Sequence, residues 1–222
     1  VADEEYMFEL CKRIKPLNMK WMSQCAVQIA DNPELLKAVA DSGCYTLSFG
    51  LESICKANLE SFHKTWCDPS NYTEIIKKVN EAGIEVASEM IVGADGDTRE
   101  SLLATVDFIK NSDIIAPKFY CLTPIPGTDL HEEMKQKGKI TDFDYFSYKP
   151  SVSVLDTPNL KAAEVTECFW MVYEKLYTIP AILKRTIFHK RFLKHPKRTL
   201  FFLMVNLVYR SQIKRRISPN IL

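Results

Sequence analysis

The sequence predicts an α/β fold, with parallel strands joined by helical crossovers and an all-helical segment behind them. Three observations carry that reading. The stretch LLKAVADSG, starting at Leu35, returns forty positions later as IIKKVNEAG, starting at Ile75. Each copy is followed by a β-favouring run, CYTLSFG and then IEVASEMIVG, and a period of this length suits a helix–strand unit with its loops. Helical and strand patterns then alternate as far as about residue 140, which is how strands linked by crossovers read. Finally, four strand ends turn polar or glycine-rich, at SQC, GLES, GADGDT and TPIPGT. Parallel α/β folds bind their ligands at the carboxyl ends of strands.

The elements follow in order. DEEYMFELCKRIKPLN reads as a helix with Met7, Leu10 and Ile14 on one face, and MKWMSQCAV as a strand. In NPELLKAVADSG, Asn32 is the expected N-cap, Pro33 takes the first helical position and Gly43 ends the helix. CYTLSFG is a strand, PSNYTEIIKKVNEAG a helix ending at Gly83, and IEVASEMIVG a strand. DTRESLLATVDFIKNS is a helix capped by Asp97 or Thr98, APKFYCLTP a strand and TDLHEEMKQKG a helix. From Thr141 the alternation stops, which divides the chain into residues 1–140 and 141–222. NLKAAEVTECFWMVYEKLYT is a long amphipathic helix whose aromatics at 169, 170, 173 and 177 read as packing residues. AILKRTIFHKRFLKHP and KRTLFFLMVNLVYRSQIKRR read as two more helices. Four parallel strands would leave an exposed edge in need of a partner.

Charge is unevenly spread. Residues 1–174 hold 17 bases and 28 acids, a net of −11, whereas twelve Lys or Arg and no Asp or Glu follow Glu174. The basic tail therefore suits docking on the acidic part, with an anionic membrane surface as a second partner. TLFFLMVNLVY between two basic clusters has the pattern of an interfacial helix. No nucleic-acid module accompanies the bases. The seven cysteines form neither CxxC nor CxxxCxxC and read as reduced core thiols in a cytoplasmic setting. The four histidines, 63, 131, 189 and 195, form no spaced metal motif. No signal-peptide pattern opens the sequence, and no apolar run approaches the roughly 18 residues of a membrane span. Starting at Val1 suggests a fragment or a processed product.

Taken together, WMSQCAVQIADNPELLKAVADSGCYTLSFGLES, GIEVASEMIVGADGDTRESLLATVDFI and LTPIPGTDLHEEMKQKGKI resemble, in that order, the radical S-adenosylmethionine enzymes. The resemblance is narrower to their cobalamin-binding, hopanoid methylase-like class, and it covers about Asp3 to Ile140. It implies a partial parallel (βα) barrel with about four of six strands present. It also implies S-adenosylmethionine and a [4Fe–4S] cluster as cofactors, with cobalamin left open because its domain would lie outside the chain. The family's CxxxCxxC loop is missing, so the chain is expected to lack an N-terminal part of the enzyme and to be inactive alone. Methyl transfer to a small-molecule or lipid substrate is the implied activity. A radical cyclase or methylthiotransferase on the same scaffold, or a cluster-less partner-binding module, are the alternatives.

Site residues follow from the match. Glu52 and Ser53 in GLES correspond to the rim where the family contacts S-adenosylmethionine. A carboxylate there can accept from ribose hydroxyls or pair with the ammonium. Ile91 and Gly93 lie in the segment set against adenine. Glu89, on the same face as Ala87 and Ile91, either faces substrate or cofactor or is paired with Lys118 or Gln24. Gln24 ends its strand as a polar contact or as a plain backbone-bonding residue. Leu122 and Thr123 line the adenine pocket or belong to a structural turn. Asp3 and Glu4 match an acidic strand end that meets the methionine amino group.

Overall fold

In the computed structural model, which describes residues 3–219, four parallel strands form one sheet in the order β1-β2-β3-β4. They are β1 (Trp21–Cys25), β2 (Cys44–Glu52), β3 (Glu85–Val92) and β4 (Ile114–Cys121). Helices α1 (Glu4–Ile14), α2 (Pro33–Asp41), α3 (Lys56–Ser61), α4 (Tyr72–Glu81), α5 (Arg99–Asn111) and α6 (Asp129–Gln136) accompany them. The chain continues through α7 (Ala162–Leu176), α8 (Ile179–Arg185), α9 (Arg191–Lys194) and α10 (Pro196–Lys214). The alternation expected from the sequence is present, and α3 is an addition to it.

Local chemistry sets the helix ends. Asn32 accepts from Leu35 N at 3.0 Å and caps α2. Gly43 ends α2 at φ +102°, and a Cβ there would lie 2.0 Å from the Met19 carbonyl oxygen, so only glycine fits. Thr98 rather than Asp97 caps α5, in a reciprocal pair with Ser101. The expected single helix over AILKRTIFHKRFLKHP is two. It breaks at Thr186, whose hydroxyl bonds back to Ile182 O at 2.7 Å, and the chain turns so that His189 and Arg191 reach Asp113 and Glu85.

Alternate strand residues face opposite layers. Leu47, Phe49, Leu51, Val86, Met90 and Val92 pack against α2, α4 and α5 residues such as Leu35, Val39, Ile76 and Val106. Phe169, Tyr173, Tyr177 and Tyr209 of the C-terminal helices belong to that same core. On the other face Ala87 and Ala116 meet Phe202 of α10.

The edge of the sheet beside β4 is closed by side chains. Tyr173 Oη accepts from Phe119 N at 2.8 Å and donates to Phe119 O at 3.2 Å. Tyr177 Oη donates to Pro117 O at 2.7 Å, and Asn206 Nδ2 to Ile115 O at 3.0 Å. Pro117 itself brings no N–H to this edge, the one strand position where proline is harmless.

Replacing Tyr173 by Phe strands a buried backbone N–H. The expected loss is about 1–3 kcal/mol in urea unfolding, with Tyr177→Phe nearer ~1 kcal/mol. Equal, negligible losses would mean that these hydroxyls do not close the edge.

Candidate functional site

The sheet face turned away from α2, α4 and α5 carries a polar belt to which every strand contributes one residue. Parallel register sets Gln24 beside Ser48, Gly50 beside Glu89 and Glu89 beside Lys118. Glu89 Oε1 accepts from Gln24 Nε2 at 2.5 Å and from Ser48 Oγ at 3.1 Å, and it pairs with Lys118 Nζ at 3.0 Å. The Lys118 side chain is only 5% exposed and that of Glu89 19%. Burial pushes the Glu89 carboxyl up, but Lys118, Gln24 and Ser48 outweigh it and hold it below the usual carboxylate range. Both structural partners weighed from the sequence, Lys118 and Gln24, are present. Ser48 is a third that the sequence reading did not single out, although it sits at a period-2 position of SFG.

At the rim of β2 the chain bends. The register shifts between Gly50 and Glu52, and Glu52 adopts a left-handed φ of +59°. Its side chain folds back over Gly50, where a Cβ would lie 2.6 Å from Glu52 Oε1. Non-glycine residues take this conformation only where the surroundings enforce it. Lys64 provides one such restraint, hydrogen-bonding and ion-pairing with Glu52 Oε1. Both side chains are largely covered, and Lys64 had no signal in the sequence because it lies in an irregular loop.

The other expected site residues have identified neighbours. Ser53 Oγ accepts from Cys55 N at 3.0 Å and Asn58 Nδ2 at 3.3 Å, fixing the turn into α3. Gly93, at φ +101°, donates its N–H to Asp97 Oδ2 at 2.8 Å, and a Cβ there would lie 2.9 Å from Val165 Cγ1 of α7. Asp97 also accepts from Ala94 N and Asn58 Nδ2, so it pins the loop after β3 to α3. Ile91 shares the face of Glu89, beside Tyr120. Leu122 packs with Met134, Ile140 and Leu155, and Thr123 Oγ1 donates to Cys121 O at 3.0 Å. Asp3 caps α1 by accepting from Tyr6 N at 2.9 Å, and Glu4 accepts from Asn32 Nδ2 at 2.8 Å. Asn32 starts the helix that follows β1, so Glu4 lies at the end of the molecule where strands finish. Asp3 and Glu4 stand at the start of a helix rather than at a strand end; Val1 and Ala2 lie outside the described residues.

At the opposite end of β3, buried Glu85 pairs with Arg191 and with Arg198, the latter at 3.3 Å. This is the acidic half meeting the basic tail, as the charge split suggested. All seven cysteines are free thiols, and burial pushes Cys25, Cys44 and Cys121 up to about 12. Among the described residues no three His, Cys, Asp or Glu side chains converge on a metal site. An iron–sulfur cluster therefore does not fit on these residues. The rim carboxylates do suit a ligand with an ammonium and hydroxyl groups, since Lys64 takes only Oε1 of Glu52 and the three bonds at Glu89 all go to its Oε1.

No protein-family model matches the chain. The bacteriochlorophyllide d C-12(1)-methyltransferase of Chlorobaculum tepidum is 30% identical over 181 residues, covering 82% of this chain and 39% of that protein. The anaerobic magnesium-protoporphyrin IX monomethyl ester cyclase of Cereibacter sphaeroides is 26% identical over 186 residues, 83% of this chain and 29% of that protein. The chain thus spans well under half the length of these relatives. Among solved structures, the radical S-adenosylmethionine methyltransferase TsrM from Kitasatospora setae, with cobalamin and a [4Fe–4S] cluster bound, superposes with a TM-score of 0.52. Identity there is 19%, with 73% of this chain and 34% of that one covered.

The Glu89 belt has a pH signature. Its folded carboxyl titrates below the unfolded one, so its contribution is complete above the usual glutamate value of about 4.3 and is lost as pH falls through the lowered folded value. Glu89→Gln is expected to be less stable than wild type at neutral pH, by about 1 kcal/mol. The difference should shrink in acid below that range. Melting curves of both proteins across pH test this, and a difference independent of pH would mean that Glu89 is not ionised in the fold.

Proposed function

The chain is a member of the radical S-adenosylmethionine enzymes by sequence and by fold, and from that premise we propose that the full-length protein is a methyltransferase of this kind. The strand-end rim described above would hold the sulfonium cofactor. The observation that carries the reading is the Glu52–Lys64 pair at the end of β2. S-adenosylmethionine has an ammonium and a carboxylate on one carbon, and adjoining opposite charges in a largely covered site complement it. Glu52 would take the ammonium or the ribose hydroxyls and Lys64 the carboxylate. Ile91 and Leu122 would offer apolar surface to adenine, with Gly93 and Thr123 framing it. Gln24 and Glu89 would face the reacting part of the ligand, their orientation held by Ser48 and Lys118. Asp3, Glu4 and Ser53 are proposed as outer members of the same rim.

The cofactor pair, when bound, supplies an electron and a cleavable sulfonium. The residues of this chain bind and orient the sulfonium partner and exclude water from it. Thiolate ligands for the cluster would come from polypeptide other than residues 3–219, and so would a site for cobalamin, which enters here on the likeness to TsrM. Substrates of the relatives, a bacteriochlorophyllide and a magnesium-protoporphyrin ester, suggest a small-molecule substrate. The match to a cyclase favours radical cyclisation as the second reading. We read the compartment as cytoplasmic on the seven free thiols. Among the described residues no helix is long and apolar enough to cross a membrane.

Titration of the labelled chain with S-adenosylhomocysteine should shift the amide resonances of Gln24, Glu52, Ile91 and Leu122 together. Glu52→Ala should weaken binding roughly tenfold or more, the worth of a charge-assisted hydrogen bond. Saturable shifts confined to another surface, or no binding by the full-length protein, would overturn the assignment.

A further inference from the structure

Helix α10 has two faces of unusual character. Phe202, Val205, Asn206, Tyr209 and Ile213 are buried. The outward face is not polar. Leu200, Phe201, Met204, Leu207 and Val208 recur at helical spacing, and Met204 is 61% exposed. Contiguous exposed apolar surface of this kind marks a contact site. The same stripe carries a cation at each end: Lys197 one turn before Leu200, and Lys214 with Arg215 one heptad after Leu207 and Val208. Among the described residues none of these three makes an ion pair, and no Asp or Glu follows Glu174 in the sequence.

Beside the N-terminal end of the stripe lies a cavity of about 890 Å³. Phe201 belongs to both. Lys20, His195, Lys197 and Arg198 line it together with Tyr45. Its carboxylate, Asp41, is taken by Lys15 and Lys37 at 3.3 and 2.9 Å. The recess therefore presents cations and aromatic surface next to an apolar ridge.

We propose that the α10 face docks on an anionic phospholipid bilayer, lying in the interface with its apolar stripe among the acyl chains. Lys197, Lys214 and Arg215 then meet phosphate groups, and the neighbouring recess accepts a headgroup. An apolar outward face flanked by cations combines the two terms that drive interfacial binding, buried apolar area and attraction to anionic lipid. The main competitor is a second copy of the chain. Two-fold pairing along the stripe would bring cations of one copy against cations of the other, whether the helices ran parallel or antiparallel, and would be repulsive. An anionic surface removes that repulsion. This inference does not depend on the proposed cofactor site.

Sedimentation with vesicles of phosphatidylcholine, alone or mixed with phosphatidylglycerol, tests it at low and high salt. Binding should require the anionic lipid and weaken with salt. Replacing Lys197, Lys214 and Arg215 together by Gln should lower the partition coefficient roughly 100-fold, at about fivefold per cation. Leu200→Ser with Met204→Ser should also lower it, while melting temperatures of both variants stay at the wild-type value. Binding that ignores lipid charge, or no binding at all, overturns the proposal. So does a dimer in light scattering that the Leu200/Met204 variant dissolves, which would assign the stripe to a second copy.

Discussion

A carboxylate placed on the face of a parallel sheet has to be satisfied there, and Glu89 is satisfied by one donor from each of the other three strands. That single requirement ties register to chemistry. A one-residue slip of any strand would turn Gln24, Ser48 or Lys118 to the helix-packed side and leave the charge without a partner. Small neighbours help: Gly50 lies directly across from Glu89, and its missing side chain leaves room for Glu52 to fold back. The polar belt and the rim are thus one construction, and the residues proposed to hold the sulfonium ligand inherit their positions from it.

The far end of the sheet is organised by charge as well. Glu85 belongs to the same alternating row as Glu89, but it faces Arg191 and Arg198 of the tail. Two guanidinium groups from α9 and α10 converge on one buried carboxylate, which explains why α8 and α9 are short and the chain bends between them. His189 with Asp113 continues this seam, and the hydrogen bond from His189 is the chief reason the Asp113 carboxyl sits below its usual range. The tail's excess of bases is only partly used in this way, since among the described residues Lys197, Lys214 and Arg215 make no ion pair.

Much of the fold was legible because local signals agreed with one another. The repeated LLKAV/IIKKV face, Asn32 and Pro33 at a helix start and Gly43 at its end each specified the same boundary that packing required. The alternation Ala87–Glu89–Ile91 placed three residues on one face, which Glu85 extends in the structure. Tertiary necessity hid the rest. Lys64 reaches Glu52 from an irregular loop with no periodic pattern, and α3 is held by Asn58 and its contacts to Ser53 and Asp97 rather than by helix propensity. The break at Thr186 answers a demand from Glu85, about a hundred residues away in sequence, which no window around the break contains. The aromatics of α7 read correctly as packing residues, yet their hydroxyls proved equally important.

Those hydroxyls show how a helix can stand in for a strand, and for how long. Four residues of helix advance about 6.0 Å, and two residues of strand about 6.6 Å. Tyr173 and Tyr177 therefore stay nearly in step with Phe119 and Pro117, running in the opposite sense. The mismatch accumulates like a vernier, so a third partner from the same helix would fall behind its carbonyl. The chain changes source at that point: Ile115 is met by Asn206 from another helix. Such a border resists further growth of the sheet, because an incoming backbone would find its docking groups already claimed at intervals that no extended chain reproduces.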